Sequence, residues 1–219
     1  MASDSPGNTK PLLHEPRWPA LLGILAIVAL YLSLPERLTL GPNWLMAAIV
    51  LAILVPVTLA HSTGRHKTNF VLGVTLLAII TAAIMWSLLE LVAGLPDKRQ
   101  PPLELLRSAV ALWLSNILVF ASWYWRLDAG GPHVRDQRSS HTEGAFLFPQ
   151  MTLHPDSKLR SAWKPGFVDY LFLAFNTSTA FSPTDVPVLS RWAKLLMMLQ
   201  SFISLGTVAL LAARAINIL

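Results

Sequence analysis

The chain has 219 residues, of which 53% are hydrophobic and 13% charged, with a mean hydropathy of +0.52 and a formal net charge of +5. That is too apolar and too poor in charge for an ordinary soluble domain. The absence of cysteine excludes disulfides, iron–sulfur clusters and thiolate chemistry. The apolar residues fall into blocks of about 15 to 25, the number a helix needs to cross a hydrocarbon core. An all-α polytopic membrane bundle is therefore expected, since strands of a membrane barrel would alternate instead. The basic residues sit in short connections between apolar blocks, which fits membrane topology and anionic lipid and excludes nucleic acid as the partner.

Residues 1–17 form a polar, proline-containing tail. The run from Ala20 to Leu34 has the length of a secretory leader, but it ends in Leu34-Pro35-Glu36-Arg37 without a small-x-small site, so an uncleaved first helix is expected. Six segments read as spans: 18–34, 44–60, 69–94, 105–125, 167–182 and 192–217. Pro35, Gly41-Pro42, Gly64-Arg65-His66-Lys67 and the Pro96 to Pro102 stretch punctuate the first four, giving the short connections of one antiparallel bundle over 18–125.

Residues 126–166 form a long connection. The part from Arg126 to Lys164 holds six of the 17 Lys and Arg and an apolar patch at Phe146-Leu147-Phe148-Pro149. Its glycines and serines favour flexibility, whereas its aromatics favour packing at the interface or the bundle mouth, so a partly ordered loop is expected. With six spans and a cytoplasmic N-terminus, 11 basic residues lie inside and 6 outside. That balance favours both termini inside, in a bacterial inner membrane, and it depends on segment 167–182 crossing; the alternative is a re-entrant segment, since it is short and carries Asp169 and Asn176.

Several polar residues fall within the apolar blocks. Glu90, near the end of its helix, reads either as a carboxylate snorkelling to the interface or as a proton or cation site. Ser115, Asn116, Ser122, Asn176, Thr177, Ser178, Thr179, Gln200, Ser201, Ser204 and Thr207 read as glue between helices or as the lining of a hydrated path. Gln200, Ser204 and Thr207 recur at spacings of four and three, which puts them on one helix face. Asp185, after Pro183, is placed to start the last helix or to pair with Arg191. The six histidines show no metal-ligand spacing, and no triad, Walker loop or dinucleotide fingerprint is present, so neither cofactor nor catalysis is expected.

The C-terminal unit, 167–219, carries a resemblance. The run Asp169 to Pro187, with Trp125-Arg126-Leu127-Asp128-Ala129-Gly130-Gly131-Pro132 and Ala213-Arg214-Ala215-Ile216-Asn217, resembles a family of uncharacterised bacterial integral membrane proteins. More distantly, a short Thr-containing helix, a turn ending in Asp185 and a long helix resemble the pore region of two-span potassium channels. That resemblance implies ion coordination by backbone carbonyls freed by glycines. Here Ala180-Phe181-Ser182-Pro183-Thr184 holds none, so a potassium filter is not carried over. A channel with the long loop, short helix and turn all outside would also leave only about five of the 17 basic residues inside.

The resulting expectation is a non-enzymatic ion-conducting or transport-related protein. A homo-oligomer is expected, because few spans leave little room for an internal path. Its site would comprise Asn176, Thr177, Ser178, Thr179, Ser182, Asp185 and Gln200, with Glu90 as a further ionisable candidate. The alternative is a membrane scaffold or accessory subunit whose 126–164 loop binds a cytoplasmic partner or anionic lipid.

Overall fold

Trp18-Pro19 opens the first helix, α1 (Trp18–Leu32), where proline's missing N–H costs nothing, and Pro35 prevents its continuation. The turn that follows is tied internally. The Leu40 N–H donates to the Tyr31 hydroxyl at 3.0 Å, and Asn43 Nδ2 donates to the Leu34 carbonyl at 3.1 Å. The chain then returns through α2 (Asn43–Ser62), turns at Gly64 with φ +69°, and runs through α3 (His66–Ala93) and α4 (Pro102–Leu127). Two short helices, α5 (Pro132–Asp136) and α6 (Lys158–Ala162), lie in the long connection, followed by α7 (Phe167–Thr179) and α8 (Arg191–Ile218). The structure, a computed structural model, describes residues 15–94, 101–138, 140–154, 156–179 and 186–218.

The fold is an all-α membrane bundle organised around α4, which packs against α1, α3, α7 and α8. The apolar part of α4 is 67% buried, whereas those of α2 and α8 are 22% and 28% buried. Leu51, Val55, Leu195, Met198 and Phe202 therefore face outward, an apolar surface suited to hydrocarbon and far larger than a soluble monomer exposes.

The expectation of six spans is corrected. Four helices, α2, α3, α4 and α8, are long and apolar enough to cross a membrane, and α1 is a shorter apolar helix of 15 residues. The segment expected as a fifth span forms the 13-residue α7, about 20 Å long at 1.5 Å per residue, against a core of about 30 Å.

Its direction follows from its contacts. Tyr170, in its first turn, meets Phe146, which also meets Trp192 at the start of α8. Further along, Ala174 and Ser178 face Gln200, and Ser178 also faces Ser204. Residue numbers rise together in both helices, so α7 and α8 run parallel. Residues 187–189, which precede α8, lie at the end where α7 begins. Leu147 N–H donates to the Pro187 carbonyl at 2.9 Å and Leu189 N–H to the Ala145 carbonyl at 2.8 Å, fastening 187–189 beside the long connection. The re-entrant arrangement, not the spanning one, is what these contacts describe. Cysteine probes at Ser140 and Ser190 should consequently be labelled by a membrane-impermeant maleimide from the same side of the membrane; labelling from opposite sides would refute the parallel arrangement.

Candidate functional site

Two sets of residues hold α7 in place. At its tip, Gln200 of α8 is the hub: Nε2 donates to the Ala174 carbonyl at 2.6 Å and to Ser178 Oγ at 2.8 Å, while Oε1 accepts the Tyr124 hydroxyl at 2.5 Å. Asn116 Nδ2 donates to the Gln200 carbonyl at 3.1 Å, and Ser204 Oγ donates to the Ser178 carbonyl at 2.6 Å. All these side chains are buried. Polar groups in such surroundings persist because they satisfy one another.

The structure thus brings together Ser178 and Gln200 of the expected site, joins to them Asn116, read in sequence as glue between helices, and adds Tyr124 from α4. Thr177 and Thr207 are buried too, but their hydroxyls bond carbonyls of their own helices. Asn176 is half-buried, and Thr179 lies exposed on the outer face with its hydroxyl on the Phe175 carbonyl. Ser182 and Asp185 lie outside the described residues. Glu90 is half-buried near the far end of α3, makes no hydrogen bond with this set, and pairs with no basic side chain among the described residues.

The second set braces the base of α7 and went unrecognised in sequence as a site. At the end of α4 the chain turns through three residues with positive φ, Ala129 (52°), Gly130 (84°) and Gly131 (89°). A Cβ on Gly131 would lie 2.7 Å from the Arg126 carbonyl oxygen, so this position requires glycine twice over. The turn directs Asp128 inward, where it is fully buried. Its carboxylate accepts the Ala145 N–H at 2.5 Å and the Tyr170 hydroxyl at 2.7 Å.

Arg135, 2% exposed, donates to the carbonyls of Trp125 and Asp128 at 2.7 and 3.0 Å and to Glu15 Oε2 at 2.9 Å. Its guanidinium also lies 5.1 Å from the centre of the Tyr170 ring. Glu15 in turn accepts from the Trp125 indole. Next to it, Arg17 donates to Asp136 at 2.5 Å and the Glu15 N–H donates to the other Asp136 oxygen at 3.0 Å. Two arginines and three carboxylates therefore join the start of the chain, the Trp125 to Pro132 motif and α7.

His141 lies against this network, with Nε2 3.7 Å from Asp128 Oδ2 and its ring packed on Phe148 and Trp163. Burial drives its pKa down to about 4, outweighing the attraction of Asp128. Between the ordinary histidine value near 6.5 and 4, the unfolded chain binds a proton that the folded chain refuses. Stability contributed here is thus complete above about pH 6.5 and falls as pH drops through that window. His141→Phe should flatten this part of the melting-temperature profile between pH 7 and 4; an unchanged slope would exclude His141 as its source.

A third feature lies at the same end of the bundle, a cavity of about 730 Å³ enclosed by α1 to α4 and the start of α5. Its wall includes Ile24, Leu54, Leu76 and Leu77, and its mouth Arg17, Lys67, Arg126 and the stacked rings of His66 and His133, whose centroids are 3.3 Å apart.

Comparison with protein-family models, with curated proteins and with solved structures finds no match. Fold and site by themselves define a class: an all-helical membrane protein carrying a short helix that runs parallel to the last one and reaches the middle of the bundle, braced by a buried charge network. Among the described residues no group of three or more His, Cys, Asp or Glu is placed to hold a metal.

Proposed function

We propose that this chain is a non-enzymatic, ion-conducting or transport-related membrane protein whose path passes the C-terminal end of α7 and is completed between copies of the chain. The observation that carries this reading is the parallel course of α7 and α8. It ends α7 beside Gln200 and Ser204, nine to thirteen residues into α8, at the middle depth of the bundle.

A helix C-terminus carries roughly half a negative charge in its unpaired carbonyls. At membrane depth, backbone leaving a helix is tolerated only inside protein or beside water. Half-helix ends of this kind are where cations are held in channels and transporters. The order of half-helix, turn and long helix is also the order implied by the resemblance to the potassium-channel pore region. The outer face of α7 exposes Phe172 and Phe175 along with Thr179, which supports completion of the path by a second copy.

Charge supports a cytoplasmic assignment for the end holding the long connection. Among the described side chains Arg17, Arg65, Lys67, Arg126, Arg135, Arg138, Lys158, Arg160, Lys164, Arg191 and Lys194 lie there, against Arg37 and Arg107 at the other end. Over the same 13 side chains the six-span assignment places 9 against 4, so the margin widens, and it favours a cytoplasmic N-terminus in a bacterial inner membrane. The test is ion flux from proteoliposomes containing the full chain. Asn176→Leu combined with Thr179→Leu should abolish flux while the protein remains inserted and folded, and undiminished flux would refute the assigned path.

A further inference from the structure

We infer that the cavity enclosed by α1 to α4 is a binding site for one anionic phospholipid, with its phosphate held by Arg126 and Lys67 and one acyl chain lying along Ile24, Leu54 and Leu76. The argument begins with Arg126. Its guanidinium donates to the carbonyl and side-chain oxygens of Asn69 at 3.1 and 3.3 Å, and it pairs with no carboxylate among the described residues. Gly73 makes the room: a Cβ there would fall 2.1 to 2.5 Å from guanidinium atoms. Substitution at Gly73 would therefore force the arginine out of its seat.

Arg17, the neighbouring cation on the mouth, donates one nitrogen to Asp136, and its Nη1, buried without a hydrogen-bond partner, lies 3.8 Å from Glu15 Oε2. Of the residues lining the cavity none is Asp or Glu. Guanidinium groups with unspent donors match phosphate oxygens in geometry as well as charge.

The rest of the cavity decides the kind of anion. Its volume lies within the roughly 300 to 1,000 Å³ of small-molecule sites, and its depth is walled by aliphatic side chains that offer a hydrophilic anion nothing. The helices around it expose apolar faces, including Leu22, Leu51 and Val55, so the molecules outside are lipids. Apolar depth under a cationic mouth is complementary to an acyl chain under a phosphate at the membrane interface. A zwitterionic headgroup would bring an ammonium beside Lys67 and Arg126, neither of which has a carboxylate partner among the described residues, which selects for an anionic lipid.

The experiment uses the full chain purified in detergent, with lipid binding read by native mass spectrometry and thermal melting in parallel. Phosphatidylglycerol should be retained at one molecule per chain and raise the melting temperature by several degrees. Phosphatidylethanolamine and inorganic phosphate, at equal concentration, should do neither. Arg126→Gln with Lys67→Gln should weaken phosphatidylglycerol binding at least tenfold, and Gly73→Ala should weaken it with every charge retained. Should those variants fail to fold, Lys67→Glu, at an exposed position, and Leu54→Trp, which fills the depth, provide the same reading. Equal retention of the two lipids, stabilisation by phosphate alone, or undiminished binding in the folded variants would each overturn the assignment.

Discussion

Asp128→Ala should all but eliminate folded protein. The substitution removes the acceptor for the Ala145 N–H and the Tyr170 hydroxyl, both in fully buried surroundings, and each stranded donor costs about 1 to 3 kcal/mol. Arg135 keeps its partners, since it pairs with Glu15 and takes only the backbone carbonyl of Asp128. The two stranded donors together cost about 2 to 6 kcal/mol, a large part of the stability of an ordinary domain, about 5 to 15 kcal/mol. Asp128→Asn should fall between, because its amide retains one oxygen but turns a donor toward one of the two groups it must serve. Gly144→Ala should reproduce part of the effect, since its Cβ would meet Asp128 Oδ1 at 2.7 Å. Monodisperse yield and melting temperature in detergent check the series. A melting temperature for Asp128→Ala equal to the parent would show that the network contributes nothing.

Gln200→Leu should detach the tip of α7 while leaving its base attached. Leucine keeps most of the volume but makes none of the three side-chain bonds to Ala174, Ser178 and Tyr124. At about 0.6 to 2 kcal/mol for each polar pair between membrane helices, the loss is roughly 2 to 6 kcal/mol. Because the Tyr124 hydroxyl then has no acceptor, adding Tyr124→Phe should cost much less in the Gln200→Leu background than in the parent chain. Additive effects in that cycle would mean the two side chains do not interact. Flux, if carried past α7, should fall with the single substitution, since the half-helix would no longer be held at its depth.

Hydrophobic blocks are long-range statements about solvent, and they placed α1 to α4 and α8 within a few residues of where they lie. The spacing of Gln200 and Ser204 likewise revealed a shared face, because helical periodicity is local. The direction of α7 was not legible: a short apolar run reads the same whichever way it points, and the charge balance across the membrane depends on the direction assumed. Asp169, Asn176 and the shortness of the segment 167–182 were the local signs that it stops short. Nor could Asp128, Arg135 and Glu15 be recognised, since charges in a long connection ordinarily face water. Their burial follows from the turn at Ala129 to Gly131, which aims Asp128 inward, and from partners more than a hundred residues away. The Trp125 to Pro132 motif was visible as a pattern, but the reason for its glycines appears only once the backbone is traced.

The bond from Arg135 to Glu15 spans 120 positions of sequence. At synthesis rates of about 5 to 20 residues per second, Glu15 emerges from the ribosome roughly 6 to 24 s before the residue that will neutralise it. Through that interval four helices can enter the bilayer with the carboxylate still hydrated and the N-terminal segment undocked. Closure of the charge network is therefore a late event in biogenesis, and it fastens the earliest part of the nascent chain only after the platform for α7 has been made. A polypeptide stalled before Arg135 should insert its first helices yet leave residues 15–17 open to protease.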